Sequence, residues 1–120
     1  MSTSTAFDLD ELAALGSENL QSVIAIDSHS DERSDTIPST EGQRHLSAHL
    51  ARFFEGLGFA SEQDEYANLI VDVPGNVAGA PALALMVHMD TSRGTEAVGR
   101  LCTLPAWDGG RIPYPRNERL

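Results

Sequence analysis

Ala82-Leu83-Ala84-Leu85-Met86-Val87-His88-Met89-Asp90 is the stretch that sets the expected fold. Six apolar residues in a row, without polar alternation, read as a strand buried on both faces, and such a strand needs sheet neighbours beside it and layers above and below. The run ends abruptly in His88 and Asp90, and in open α/β sheets ligands gather just beyond the carboxyl ends of strands. Upstream, Asn68 to Val73 reads as a strand closed by Pro74-Gly75, and Phe59 to Gln63 as a short strand turned by Asp64 and Glu65. Before these, Leu46, Leu50, Phe53, Phe54 and Leu57 recur at helical spacing. Thr40 and Gln43 fit a capping box in front of that helix, and Gly58 fits its left-handed stop. From Leu9 to about Ser28 a partial stripe of Leu12, Leu15, Leu20, Val23 and Ile24 predicts another helix, with Gly16-Ser17 as a break or restart. His29 to Ser39 is a polar loop. Residues 1–8 are expected to be frayed and 91–120 irregular. The expected architecture is α/β, a mixed sheet flanked by helices, over one incomplete domain spanning 1–120.

Composition excludes several classes of function. The chain has 120 residues, with 18 acidic against 8 basic side chains and a formal charge of −10. Such a surface repels phosphate backbones and anionic lipid, so neither nucleic acid nor a membrane is an expected partner. All the basic residues are Arg, so a P-loop and a Schiff-base lysine are excluded. The single cysteine, Cys102, cannot form an internal disulfide or a thiolate zinc cluster. No signal peptide opens the sequence and no stretch reaches the ~20 apolar residues of a membrane span, which leaves the cytoplasm as the expected address. Gly-x-Gly-x-x-Gly and Gly-x-Ser-x-Gly are both missing.

The chemistry-bearing spot is His88-x-Asp90. A histidine at a strand end can present one ring nitrogen to a metal while a carboxylate two residues on holds the proton of the other nitrogen, fixing the tautomer and raising basicity. The plain alternative is a histidine that merely ends the strand, with Asp90 accepting backbone amides in the turn through Thr91 and Ser92. His45 and His49 stand at i and i+4 on the second helix, but Leu46 occupies the place where a zinc-protease signature has Glu, so a solvated flank is the simpler reading. Asp31, Glu32 and Asp35 lack the spacing and turn glycine of a calcium loop.

The order of Ile37-Pro38-Ser39-Thr40-Glu41-Gly42-Gln43, an amphipathic helix, the Asn68-Leu69 strand and Val87-His88-Met89-Asp90-Thr91-Ser92 resembles the tripeptide aminopeptidases called peptidase T, within the di-zinc exopeptidases that include aminoacylases and glutamate carboxypeptidases. Ala106-Trp107-Asp108-Gly109-Gly110 is also similar to the segment that follows the histidine there. The resemblance covers about Asn19 to Pro115. It implies an N-terminal portion of a zinc-exopeptidase catalytic domain, with two zinc ions in the complete enzyme, a short peptide substrate and a possible homodimer. By the same resemblance His88 is a zinc ligand and Asp90 the active-site carboxylate that orients it. It also implies a bridging aspartate, a Glu-Glu pair, a further acidic ligand and a late histidine. This chain has no Glu-Glu pair and no histidine after His88, and beyond Asp90 it offers only Glu96, Cys102, Asp108 and Glu118. The 120 residues alone are therefore expected to be inactive. A reading of a different class is a non-catalytic acidic α/β module that binds a protein partner through its unfinished sheet.

Overall fold

The computed structural model describes residues 8–94 and 98–112. Its elements are helix α1 (Leu9–Ile24), helix α2 (Glu41–Gly56) and strands β1 (Ala60–Gln63) and β2 (Leu69–Asp72), a partial α/β arrangement. α1 begins where Asp8, the helix cap, accepts from the amides of Asp10 and Glu11. That side chain satisfies two donors that a helix start otherwise leaves open. The expected break at Gly16-Ser17 does not occur. Ser17 sits inside one continuous helix, its hydroxyl turned back onto the carbonyl of Ala13.

α2 starts after Thr40, whose backbone is extended, but the capping box expected there is not made. The Thr40 hydroxyl donates to the carbonyl of His29 at 2.6 Å, and Gln43 Oε1 accepts from the amide of Ser39, one residue before the cap. Both side chains serve the preceding loop instead of the helix end. At the other end Gly58 adopts φ +85°, the left-handed stop that its lack of Cβ permits.

β1 and β2 form an antiparallel hairpin with Ala60 opposite Asp72 and Gln63 opposite Leu69. α2 packs against it. Leu46 is 2% exposed and Ser47 fully buried at this junction, where Gln63 Nε2 donates to Ser47 Oγ at 2.6 Å. Burying Leu46 contributes roughly 2 kcal/mol. The hairpin turn is organised by Asp64, whose carboxylate accepts from the amides of Tyr66 and Asn68 and from Asn68 Nδ2. Those hydrogen bonds, the Asn68 side chain foremost, hold the Asp64 carboxyl below its ordinary pKa. A carboxylate lowered in this way stabilises the folded turn above the ordinary carboxylate range, and the stabilisation is lost as pH falls through the lowered value. Acid titration followed by the amide shifts of Tyr66 and Asn68 should show that loosening below about pH 4, and Asp64→Asn should abolish the transition.

The expected third strand is the main correction. Residues 82–87 join no sheet, and Leu83, Leu85, Met86 and Val87 are 84–97% exposed. The expected mixed sheet is thus reduced to one antiparallel pair plus a single parallel bridge between His29 and Thr91. The physical reason is missing partners. A strand apolar on both faces gains from burial only when other elements cover both, and among the described residues none does so. The α1 stripe behaves likewise, since Leu12, Leu15 and Leu20 are about half exposed. The radius of gyration, 18.3 Å, exceeds the ~14 Å typical of a compact domain of this length.

Beyond Asp90 the chain is irregular where it is described but not unattached. Gly99 donates its amide to the carbonyl of Ile24, and the Gln21 side chain donates to the Gly99 carbonyl and accepts from the amide of Leu101. The fraying expected for 1–8 falls on residues 1–7, outside the described residues, except at Asp8. Glu96 and Glu118 also lie outside them.

Candidate functional site

His88 and Asp90 sit on the wall of an open cleft of about 420 Å³. Thr36 to Ser39 with Gln43 also line it, and the hairpin turn supplies Tyr66 to Asn68. Two sequence segments separated by some 45 residues, Pro38-Ser39-Thr40-Glu41-Gly42-Gln43 and His88-Met89-Asp90, therefore meet at one place.

Their junction is a short run of hydrogen bonds. Thr91 donates its amide to the carbonyl of Ser28, and Ser30 donates its amide to the carbonyl of Thr91, which forms the parallel bridge at His29. Ser28, 3% exposed, donates its hydroxyl to the carbonyl of Met89 at 3.0 Å. On the far side, Thr40 Oγ1 and Gln43 Nε2 both donate to the carbonyl of His29. Residues 28–30 are thus held between the start of α2 and the segment that carries His88.

Within the cleft, His88 Nδ1 lies 3.0 Å from Asp90 Oδ1 and 3.0 Å from the Asp90 backbone carbonyl. A carbonyl can only accept, and so can an ionised carboxylate. The proton of the neutral ring consequently resides on Nδ1, and Nε2 carries the lone pair. The imidazole is 85% exposed and the carboxylate 43%. This geometry replaces the plain alternative in part, because the Thr91 amide goes to Ser28 and not to Asp90. Chemically, the arrangement presents one basic ring nitrogen toward solvent, backed by a negative charge.

The other candidates separate. His49 Nε2 is 3.1 Å from Ser22 Oγ, which ties α2 to α1, and His45 is exposed, so the two do not share a ligand. His29 is only half exposed and its Nδ1 meets Asp27 Oδ1 at 2.7 Å, a contact that holds the Asp27 carboxyl below its ordinary pKa. Arg93 pairs with Glu32 at 2.5 Å and with Asp31 at 3.5 Å, so one guanidinium bridges two carboxylates of this cluster and holds the loop to the segment after Asp90. Asp108 accepts the amide of Gly110, Trp107 donates to the Gly110 carbonyl, and Cys102 is exposed. Among the described residues no three metal-ligating side chains gather. The donor chemistry of His88 suits zinc, but a catalytic zinc takes three protein ligands, so the described residues do not make that site by themselves. Sequence reasoning missed Ser28 and Tyr66, and took Asn68 only as the start of a strand. One serine among many and a turn residue carry no pattern that marks them in advance.

The architecture and the cleft define a partial α/β chain that presents a tautomer-fixed histidine beside a carboxylate. Comparison with known proteins adds a relationship. The chain is 37% identical over 76 residues to the peptidase T of Macrococcus caseolyticus, a match covering 62% of this chain and 19% of that protein. It is 38% identical over 108 residues to the peptidase T of an Exiguobacterium species, covering 86% of this chain and 25% of that protein. A peptidase T-like protein of Yersinia pestis is 39% identical over 69 residues, covering 57% and 17%. The chain is peptidase T-like in sequence, and its matches span a quarter or less of the length of these relatives. No family model matches the chain, and no solved structure matches it significantly. Among the described residues no helix is long and apolar enough to cross a membrane.

Proposed function

We propose that these residues form the N-terminal part of the catalytic domain of a zinc metallopeptidase, an aminopeptidase that releases N-terminal residues from short peptides such as tripeptides. His88 is its metal ligand through Nε2, and Asp90 fixes the tautomer and orients the ring. Zinc, when bound, would polarise the scissile carbonyl and supply a water of lowered pKa. The observation that carries the reading is the His88–Asp90 pair in a cleft also lined by Pro38, Ser39 and Gln43, in a chain whose relatives are named peptidase T. The described residues offer one ligand, so the 120 residues are inactive alone, and the remaining ligands and the general base come from sequence beyond them. Two zinc ions, a cytoplasmic address and a homodimer belong to the same reading.

Zinc titration of the chain, followed by the ring nitrogen shifts of His88, tests it. Zinc should move Nε2 strongly and Nδ1 weakly. A titration that leaves Nε2 unmoved at millimolar zinc would reject His88 as a ligand.

The exposure of Leu83, Leu85, Met86 and Val87 favours a second reading, a non-catalytic acidic module whose unfinished sheet binds a protein partner. That module would unfold cooperatively as a stable monomer or dimer. A chain that aggregates without a cooperative transition counts against it.

A further inference from the structure

The buried hydroxyl of Ser28 bonds, among the described residues, to the peptide between the two site residues. Ser28 is 3% exposed and its Oγ donates to the Met89 carbonyl at 3.0 Å. Met89 joins His88 to Asp90, so the orientation of its carbonyl sets how the two flanking side chains face one another. Both contacts of His88 Nδ1, to Asp90 Oδ1 and to the Asp90 carbonyl, depend on that orientation. Ser28 is itself fixed from two directions. Its carbonyl accepts the Thr91 amide, and the next carbonyl, that of His29, is gripped by Thr40 Oγ1 at 2.6 Å and Gln43 Nε2 at 3.3 Å.

We infer that Ser28 is a positioning residue for the candidate active site, which holds His88 in its Nδ1-protonated form through the Met89 carbonyl, with Thr40 as its support through His29. The inference deepens the proposed function and rests on it for the role of His88. The tautomer it predicts is measurable without any metal. It also accounts for the placement of the Pro38-to-Gln43 segment, whose Thr40 and Gln43 side chains bond to the His29 carbonyl beside the positioning hydroxyl and do not cap their own helix.

The test is the ¹⁵N long-range correlation spectrum of His88 in the full chain, at a pH where the ring is neutral, for the unaltered protein and for Ser28→Ala, Ser28→Thr and Thr40→Val. His88→Gln assigns the signals. The unaltered protein should show Nδ1 as the protonated nitrogen. Ser28→Ala should lower the ratio of the two tautomers about fivefold, the effect expected of one lost hydrogen bond. Ser28→Thr keeps the donor and should restore the ratio. Thr40→Val is isosteric and lies away from His88, so it keeps the question answerable should Ser28→Ala fail to fold; it should shift the ratio in the same direction by a smaller factor. An unchanged ratio in folded Ser28→Ala, or in Thr40→Val where Ser28→Ala does not fold, overturns the inference. Zinc added to the same samples separates the two claims. A tautomer that responds to Ser28 while zinc leaves Nε2 unmoved upholds the positioning role and rejects the ligand role. Zinc binding that is equal in all variants with an unaltered tautomer does the reverse.

Discussion

Gly42→Ala should displace the start of α2 and cost about 3 kcal/mol or more of stability, read as a lowered denaturant midpoint by far-UV circular dichroism. A Cβ built on Gly42 would lie 1.6 Å from the Asp27 carbonyl oxygen and 2.8 Å from its carbon. Both atoms are backbone, so no side-chain rotation relieves the overlap, and overpacking of this kind sits at the upper end of measured costs. The shift propagates to the site, because Asp27 directly precedes Ser28 and His29, which bond and bridge to Thr91. Gly16→Ala is the control. Gly16 is also helical, nothing lies within 4 Å of its added Cβ, and the exchange should stabilise the protein by up to about 1 kcal/mol. Equal effects of the two exchanges would show that helix propensity alone, and not the approach of Asp27, governs position 42.

Zinc affinity should separate the charge of Asp90 from its geometry. His88→Ala removes the one ligand that the cleft offers, and should remove the binding step assigned to it, leaving only the weak uptake of the other histidines. Asp90→Ala should weaken it about tenfold, near the low end of the range for partners that orient a metal-bound histidine. The effect is partial because the Asp90 backbone carbonyl also lies 3.0 Å from Nδ1 and stays in place when the side chain is removed. The carbonyl preserves the tautomer, while the second acceptor that orients the ring is lost. Isothermal titration with zinc chloride measures both. Equal affinities for Asp90→Ala and the unaltered chain would mean that the carboxylate does not act on the ring. In a longer polypeptide that hydrolyses tripeptides, the same two exchanges should rank in the same order.

Much of this was legible in the residues. The apolar spacing from Leu46 to Leu57 and the turn glycine at Gly58 locate α2 within a residue or two, and the strands around Asp64 fall where alternation and turn chemistry place them. The pairing of His88 with a carboxylate two residues on follows from spacing, because i and i+2 side chains near a strand end can reach one another. These are local matters, decided by propensity, period and short-range hydrogen bonding.

Other matters depend on what the chain meets in space. Leu83 to Val87 has the sequence of a buried strand, yet burial is a property of neighbours, and these residues remain exposed. Thr40 and Gln43 match a capping box, yet the carbonyl of His29 and the amide of Ser39 compete for their polar atoms and prevail. Gly42 reads as an ordinary helix residue until Asp27 is placed against it. Ser28 reads as one more serine until its hydroxyl is found under Met89. The sequence by itself determined the helices, the hairpin and the His88–Asp90 pair, since each arises between residues close along the chain. Only the tertiary structure decided which segments meet around that pair, because contacts across 60 residues are set by packing and hydrogen-bond competition that no local pattern encodes.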